Sequence, residues 1–191
     1  MAVESKRGFT YADLEAFPED NFRREIIDGE LYVTPSPRVR HQRVVATLTA
    51  QLWAYAAEHG GEVFPAPLDV FFSDTNVVEP DVLFVTAPNL GKLEDRFVRS
   101  APDLVVEVSS SSTRKLETVR KRELYERFEV PEYWYVDIEV DLVQVYRRAD
   151  GYGSARVLGR GDSVDSMAVA GFSVAVGDLL GPPENEGDLS G

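Results

Sequence analysis

The chain reads as an α/β (α+β) domain, a mixed β-sheet flanked by helices. Three observations predict this. Short apolar runs rich in β-branched and aromatic residues crowd the middle of the sequence, longer stretches repeat apolar residues at helical spacing, and the two kinds alternate along the chain. With 191 residues, 43% hydrophobic and 28% charged, the chain suits one domain with its own core.

Thr10 to Phe17 predicts a short amphipathic helix, with Thr10 as N-cap, Asp13 three residues on and Pro18 as the stop. Asp28-Gly29 between Glu25-Ile26-Ile27 and Glu30-Leu31-Tyr32-Val33 is a hairpin signal, closed by Thr34-Pro35-Ser36-Pro37. From His41 to about Glu58, Val44, Val45, Leu48, Leu52, Tyr55 and Ala56 recur at helical spacing, and His59-Gly60-Gly61 ends the helix. Leu68 to Phe72, Val82 to Val85 and Leu104 to Val108 read as strands of a buried sheet. A helix from about Lys115 to Phe128 follows, then strands at Tyr133 to Asp137 and Leu142 to Tyr146, giving the order α-β-β-α-β-β-β-α-β-β. Gly151 to Gly161 reads as a loop or hairpin, and Phe172 to Val176 as a last edge strand or a segment packed on the sheet. Residues 8–180 are expected to form a single domain, and the acidic tail 181–191 to be disordered.

The formal charge of −13 argues against tight, non-specific binding of polyanions. A local patch remains: Arg114, Lys115, Arg120, Lys121 and Arg122 form the densest basic cluster, a candidate for phosphate contact or a solvated helix face. Without cysteine there are no disulfides and no thiolate metal sites, so the reducing cytoplasm is the natural compartment. No signal-type segment opens the sequence and no run of about 18 apolar residues occurs, so no membrane association is expected.

Function is suggested by two acids placed where acids are expensive. Glu107 interrupts the apolar run Leu104-Val105-Val106-Glu107-Val108, and Asp81 opens the run Val82 to Val85. On a strand, Val105, Glu107 and Ser109 share one face, so Glu107 points to one defined side. On the following helix Lys121 falls within the apolar stripe of Leu124, Tyr125 and Phe128, where its ammonium needs an anionic partner. An i,i+4 pair with Glu117, with the lysine stem snorkelling, is the ordinary reading. Two carboxylates with a nearby lysine are also the inventory of a Mg²⁺ phosphoryl-transfer site.

These blocks resemble a known superfamily. Pro80-Asp81, Glu107-Val108-Ser109 and the α-β-β-β-α-β pattern look like the PD-(D/E)XK nucleases. More closely, Pro102 to Val108, Ser110, Ser112-Thr113-Arg114, Lys121 to Tyr125 and Val130 to Asp137 are similar to the putative restriction endonuclease domain family. Glu25 to Leu31 and His41-Gln42 extend the resemblance to about residues 8 to 180. It implies a restriction-endonuclease-like core and a Mg²⁺-dependent (or Mn²⁺-dependent) phosphodiesterase acting on DNA. Asp81 and Glu107 match its metal-holding acids. The lysine slot falls on Ser109, and Lys121 matches the lysine moved to the next helix. Glu25 matches a glutamate that completes the metal shell, and His41 lies in a matching block. Ser111, Glu117 and Phe128-Glu129 depart from the family pattern.

Other residues have structural alternatives. Asp103 imitates the acid after a proline but sits too near Glu107 and reads as a cap of the strand entry. A histidine at a helix end, as at His41 or His59, is ordinarily structural or solvated. Ser109 to Thr113 reads as a loop with an N-cap. Tyr133, Trp134 and Tyr135 are more simply sheet packing than a base-stacking platform. The expected activity is a DNA endonuclease, with RNA as an alternative substrate. A catalytically inactive nuclease-like domain that binds nucleic acid or protein is the competing reading. Cutting both strands of a duplex calls for two sites, so a homodimer is expected.

Overall fold

The computed structural model describes residues 8–18, 20, 22–34, 36–109 and 116–183, and the side chains of all but 116–118 among them. The expectations for Ser110 to Lys115, the Glu117 side chain and most of the tail therefore lie outside the described residues.

The first helix, α1 (Tyr11–Glu15), begins at Thr10, whose backbone N–H and hydroxyl both donate to Asp13 Oδ2 at 2.9 Å. Strands β1 (Arg23–Ile27) and β2 (Glu30–Thr34) form the expected hairpin, with Asp28 at φ 53° and Gly29 at φ 74° in its two-residue turn. Both residues of such a turn need positive φ, which explains Asp-Gly. The long helix α2 (Val39–His59) follows, then β3 (Glu62–Pro65), β4 (Asp69–Ser73), β5 (Asn76–Val78), β6 (Val82–Val85), β7 (Phe97–Arg99) and β8 (Leu104–Val108). A wide π-helical segment, Leu116–Lys121, continues into α3 (Arg122–Arg127), followed by β9 (Glu132–Asp137), β10 (Leu142–Arg147), β11 (Arg156–Gly159), β12 (Ser163–Asp165), β13 (Ser173–Ala175) and α4 (Val176–Leu180).

The strands divide into separate sheets. One has the order β2-β1-β5-β4-β7, a second β11-β10-β9-β8-β6-β3, and β12 pairs with β13 alone. The Leu68 to Phe72 run thus belongs to a different sheet from Val82 to Val85 and Leu104 to Val108, although all three look alike in sequence. Both large sheets are mixed, with β8 parallel to β9 and β4 parallel to β7.

Period-two alternation divides the core. Leu104, Val106, Val108, Trp134 and Val136 face α2 and α4, whereas Val105, Tyr133 and Tyr135 face the other sheet and α3. The six-stranded sheet is therefore covered on both sides, and Tyr133, Trp134 and Tyr135 are all buried packing residues. Asp103 accepts from the Thr86 backbone N–H and hydroxyl and from Asn89, tying the turn after β6 to the start of β8. No described helix is long and apolar enough to cross a membrane.

Candidate active site

Strand register brings the two acids together. Val82 pairs with Val106 and Leu83 with Val105, so one step further Asp81 stands opposite Glu107 on the same face. The Val108 N–H donates to Asp81 Oδ2 at 2.7 Å, which fixes the carboxylate at the strand end. His41, at the start of α2, places Nε2 3.1 Å from the same oxygen. From the other sheet, β1 contributes Arg23 and Glu25 on one face. The helix after β8 contributes Lys121, 1% exposed, where the π-helical turn passes into α3, and Tyr125 one turn later.

These side chains form one buried polar network. Lys121 Nζ lies 2.8 Å from both Glu107 Oε1 and Glu25 Oε1. The Tyr125 hydroxyl donates to Glu107 Oε1 at 2.6 Å, and the Glu79 N–H donates to Glu25 Oε1 at 2.8 Å. Asp81, Glu107, Lys121, Glu25 and His41 therefore meet in one place, although they come from five segments of the chain. The remaining candidates do not join them. Arg120 bonds the Tyr32 hydroxyl and pairs with Glu30 at 3.1 Å, while Arg122 lies over the Tyr146 ring near Glu126. Arg114 and Lys115 lie outside the described residues. His59 stacks on Tyr55 at the far end of α2. Ser109, in the lysine slot, is buried beside Asp137 and the Ile138 N–H.

The structure adds Arg23, Glu79 and Tyr125 to the site. Arg23 Nη1 donates to Asp81 Oδ1 at 2.7 Å, and its Nε lies 3.3 Å from Glu79. Its Nη2 lies 3.8 Å from Glu25 Oε1 and 3.7 Å from Glu107 Oε2. The Arg23 side chain is 21% exposed and that of Glu79 17%, so these two reach nearest the surface, although Arg23 Nε and Nη2 are themselves buried.

Four carboxylates, Glu25, Glu79, Asp81 and Glu107, face two basic side chains, Arg23 and Lys121. Burial opposes ionisation of Asp81, but Arg23, with His41 and Lys121, outweighs it and holds the carboxyl below its usual range. Glu107 goes the other way. Burial raises it, Asp81 adds to the rise, and Lys121 and Arg23 only partly compensate. Burial also pushes Glu79 up to about 7 against the pull of Arg23. Tyr125 is held well above its ordinary range by burial and by Glu107 and Glu25, so it remains a donor.

The network is not closed. Glu25 Oε2, Glu107 Oε2 and Arg23 Nη2 are buried without a hydrogen-bond partner among the described residues. A structural buried acid looks different. Glu132 bonds the Trp134 indole through one oxygen and the Met167 and Ala168 N–H groups through the other.

The comparisons with known proteins agree with this architecture. Among curated proteins none matches the chain. Among solved structures, the chain is similar to a putative nuclease belonging to DUF820 from Anabaena variabilis ATCC 29413. The TM-score is 0.75 at 18% identity, over 90% of this chain and 97% of that one, a likeness of fold. The model of the Uma2 family, described as "Putative restriction endonuclease", matches residues 10–177. Spanning most of its length, that match shows that the chain belongs to the Uma2 family of putative restriction endonucleases, a nuclease family with a mixed α+β fold.

Proposed function

We propose that the protein is a Mg²⁺-dependent endonuclease that hydrolyses phosphodiester bonds in DNA, with Asp81 and Glu107 as metal ligands, Glu25 completing the shell, and Lys121 assisting the attacking water. The observation that carries this reading is the open network. Two buried carboxylate oxygens, Glu107 Oε2 and Glu25 Oε2, lack hydrogen-bond partners among the described residues, while Lys121 sits 2.8 Å from the other oxygen of each acid.

The donor set fits a hard cation. The two acids with an open oxygen, Glu25 and Glu107, offer carboxylate ligands, which suit Mg²⁺ and Mn²⁺. Among the described residues no three acid or histidine side chains converge as a ready-made cage. Mg²⁺ does not need one, since it takes one or two carboxylates and fills its octahedron with water and phosphate oxygens. Charge balance points the same way, because four acids face two basic side chains and Glu107 is held above its ordinary range. When bound, the ion supplies Lewis-acid polarisation of the phosphoryl group and a more acidic water.

The side chains supply the rest. His41 and the Val108 N–H hold Asp81 in one rotamer, and Tyr125 holds Glu107. Lys121 offers an ammonium that orients the incoming water and offsets the charge that builds on the phosphoryl oxygens. Arg23 pairs with Asp81 and Glu79 and offsets part of the acids' charge. DNA is proposed as substrate from the family's description as restriction endonucleases. RNA carries the same phosphodiester and is tested alongside.

The alternative, a nuclease-like binding module, is favoured by one observation: the Arg23 guanidinium already pairs with Asp81. Titration calorimetry with Mg²⁺ and Mn²⁺ on the protein and on Glu107→Ala, together with cleavage of supercoiled plasmid and of RNA, separates the readings. Binding in the wild type that is lost in the variant, with Mg²⁺-dependent cutting, is expected. Unchanged binding by Glu107→Ala would remove Glu107 from the metal shell. Metal binding with no cutting of either nucleic acid would favour the binding module.

A further inference from the structure

Helix α2 presents a solvent-facing stripe made of Val39, Arg43, Ala46, Ala50, Trp53 and Ala57, residues three or four apart and all exposed. Trp53 is 65% exposed and Val39 77%. From Val44 to Ala57 the helix carries no charged side chain, in a chain that is 28% charged. Its inner face, Val44, Leu48 and Leu52, lies in the core, so both faces are uncharged along this length. An uncharged solvent-facing stripe that carries an exposed tryptophan marks a surface for association. Trp53 also walls a groove of about 510 Å³ whose lining includes Ala56, Ala57, Val63 and Pro65. Strand β3, which supplies the far wall, is one of the two edge strands of the six-stranded sheet.

The ends of this surface identify its partner. Arg38 and Arg43 stand at one end of the helix, and Glu58 and Glu62 at the other, all exposed. We propose that α2 and the β3 edge form a two-fold interface with a second copy of this chain, the two α2 helices running antiparallel across Ala50. In that arrangement Arg43 faces the partner's Glu58, and by symmetry the same pair forms again at the other end. Trp53 lies over the partner's Ala46, a small residue that admits the ring. A parallel arrangement would set like charge against like. A polyanion gains nothing from an uncharged stripe, and a chain of net charge −13 is repelled by an anionic lipid surface. Isologous contacts of this kind, in which residue i meets j and j meets i, are the commonest route to a dimer. The inference is independent of the proposed nuclease chemistry.

Light scattering of the full chain after size exclusion tests it, with sedimentation equilibrium for affinity and circular dichroism to verify folding. Expected is a mass twice the 21.3 kDa of the chain. Trp53→Glu, at an exposed position, should remain folded and raise the dimer Kd roughly tenfold or more. Arg43→Glu and Glu58→Arg should each weaken the dimer, and the double exchange should restore it, which only an antiparallel register allows. A monomeric wild type, or a dimer indifferent to Trp53→Glu, overturns the proposal. A monomer in which truncation after Pro183 newly exposes Trp53 to an aqueous quencher would assign the surface to the chain's own C-terminal segment instead. Loss of dimer in both single charge variants without rescue in the double would overturn the antiparallel register.

Discussion

Glu107 differs from the other buried acids in what its second oxygen touches. Glu132 and Asp103 have both oxygens engaged by donors, whereas among the described residues Glu107 Oε2 has no hydrogen-bond donor and a guanidinium nitrogen at 3.7 Å. Because burial and Asp81 hold the Glu107 carboxyl above its ordinary range, its ionised form is a liability to the folded state at neutral pH. Glu107→Gln should therefore abolish cleavage while raising Tm at pH 7 by a few degrees, as thermal scans and plasmid cleavage would report. A fall in Tm would mean that Glu107 is structural. Lys121→Met should act oppositely. It leaves Glu25 and Glu107 without their shared ammonium, at about 3 kcal/mol of stability, and should lower turnover roughly 100-fold in whatever fraction remains folded. Denaturant titration and single-turnover cleavage separate the two effects, and full activity in the variant would sink the role given to Lys121. Glu107, Asp81 and Lys121 were legible because each breaks an apolar pattern. Arg23 was not. It sits in the polar run Arg23-Arg24-Glu25, and its burial arises only where β1 meets Asp81, 58 residues away.

Elements bounded by strong local chemistry were legible, and elements defined by distant partners were not. The Asp-Gly turn, the Thr10 cap and the α2 periodicity announce themselves locally. Strand β3 ends in proline, and β5 and β7 have three residues each, too few for a period-two signal to stand out. The helix α4 has five residues, and its first, Val176, reads in sequence as the end of a strand. The division into two sheets is a matter of pairing, and Leu68 to Phe72 carries the same apolar character whichever partner it takes. The turn from α2 into β3 shows how tightly one junction is specified. Gly61 has φ 96°, and a Cβ there would stand 2.7 Å from the Phe84 ring and 2.8 Å from the Val85 carbonyl oxygen. Gly61→Ala should therefore displace β3 from β6 and destabilise the protein by about 2 kcal/mol. Gly151→Ala is the control. It shares positive φ but has open space around its Cβ, so it reports backbone strain alone. Equal losses in the two variants would refute the close approach of the Gly61 turn to β6.

Across the whole molecule, the balance of buried acids sets how stability responds to pH. Burial lifts Glu79 to about 7, opposed by Arg23, and lifts Asp69 to about 6, reinforced by Glu25. For an acid raised in the folded state, the folded protein takes up its proton at a higher pH than the unfolded chain does, so stability increases as pH falls from about 7 toward the ordinary values of 4.5 and 3.8. Asp81 works in the opposite direction. Its depressed folded value stabilises the protein fully above 3.8, and that contribution is lost as the pH falls below it. The net charge of −13 adds self-repulsion at neutral pH that protonation relieves. Tm should accordingly be higher near pH 5.5 than near pH 8, by several degrees, and should collapse below about pH 4. Glu79→Gln should remove part of the rise. A Tm that falls steadily from pH 8 to 5.5 would mean that these acids are not buried as described. Mg²⁺ supplies the decisive comparison, since a cation held by the ionised acids stabilises the protein most where those acids are ionised. Saturating Mg²⁺ should raise Tm more at pH 8 than at pH 5.5 and flatten the profile. A profile unchanged by Mg²⁺ would leave the pH response intact as a property of the fold while removing the metal from the cluster.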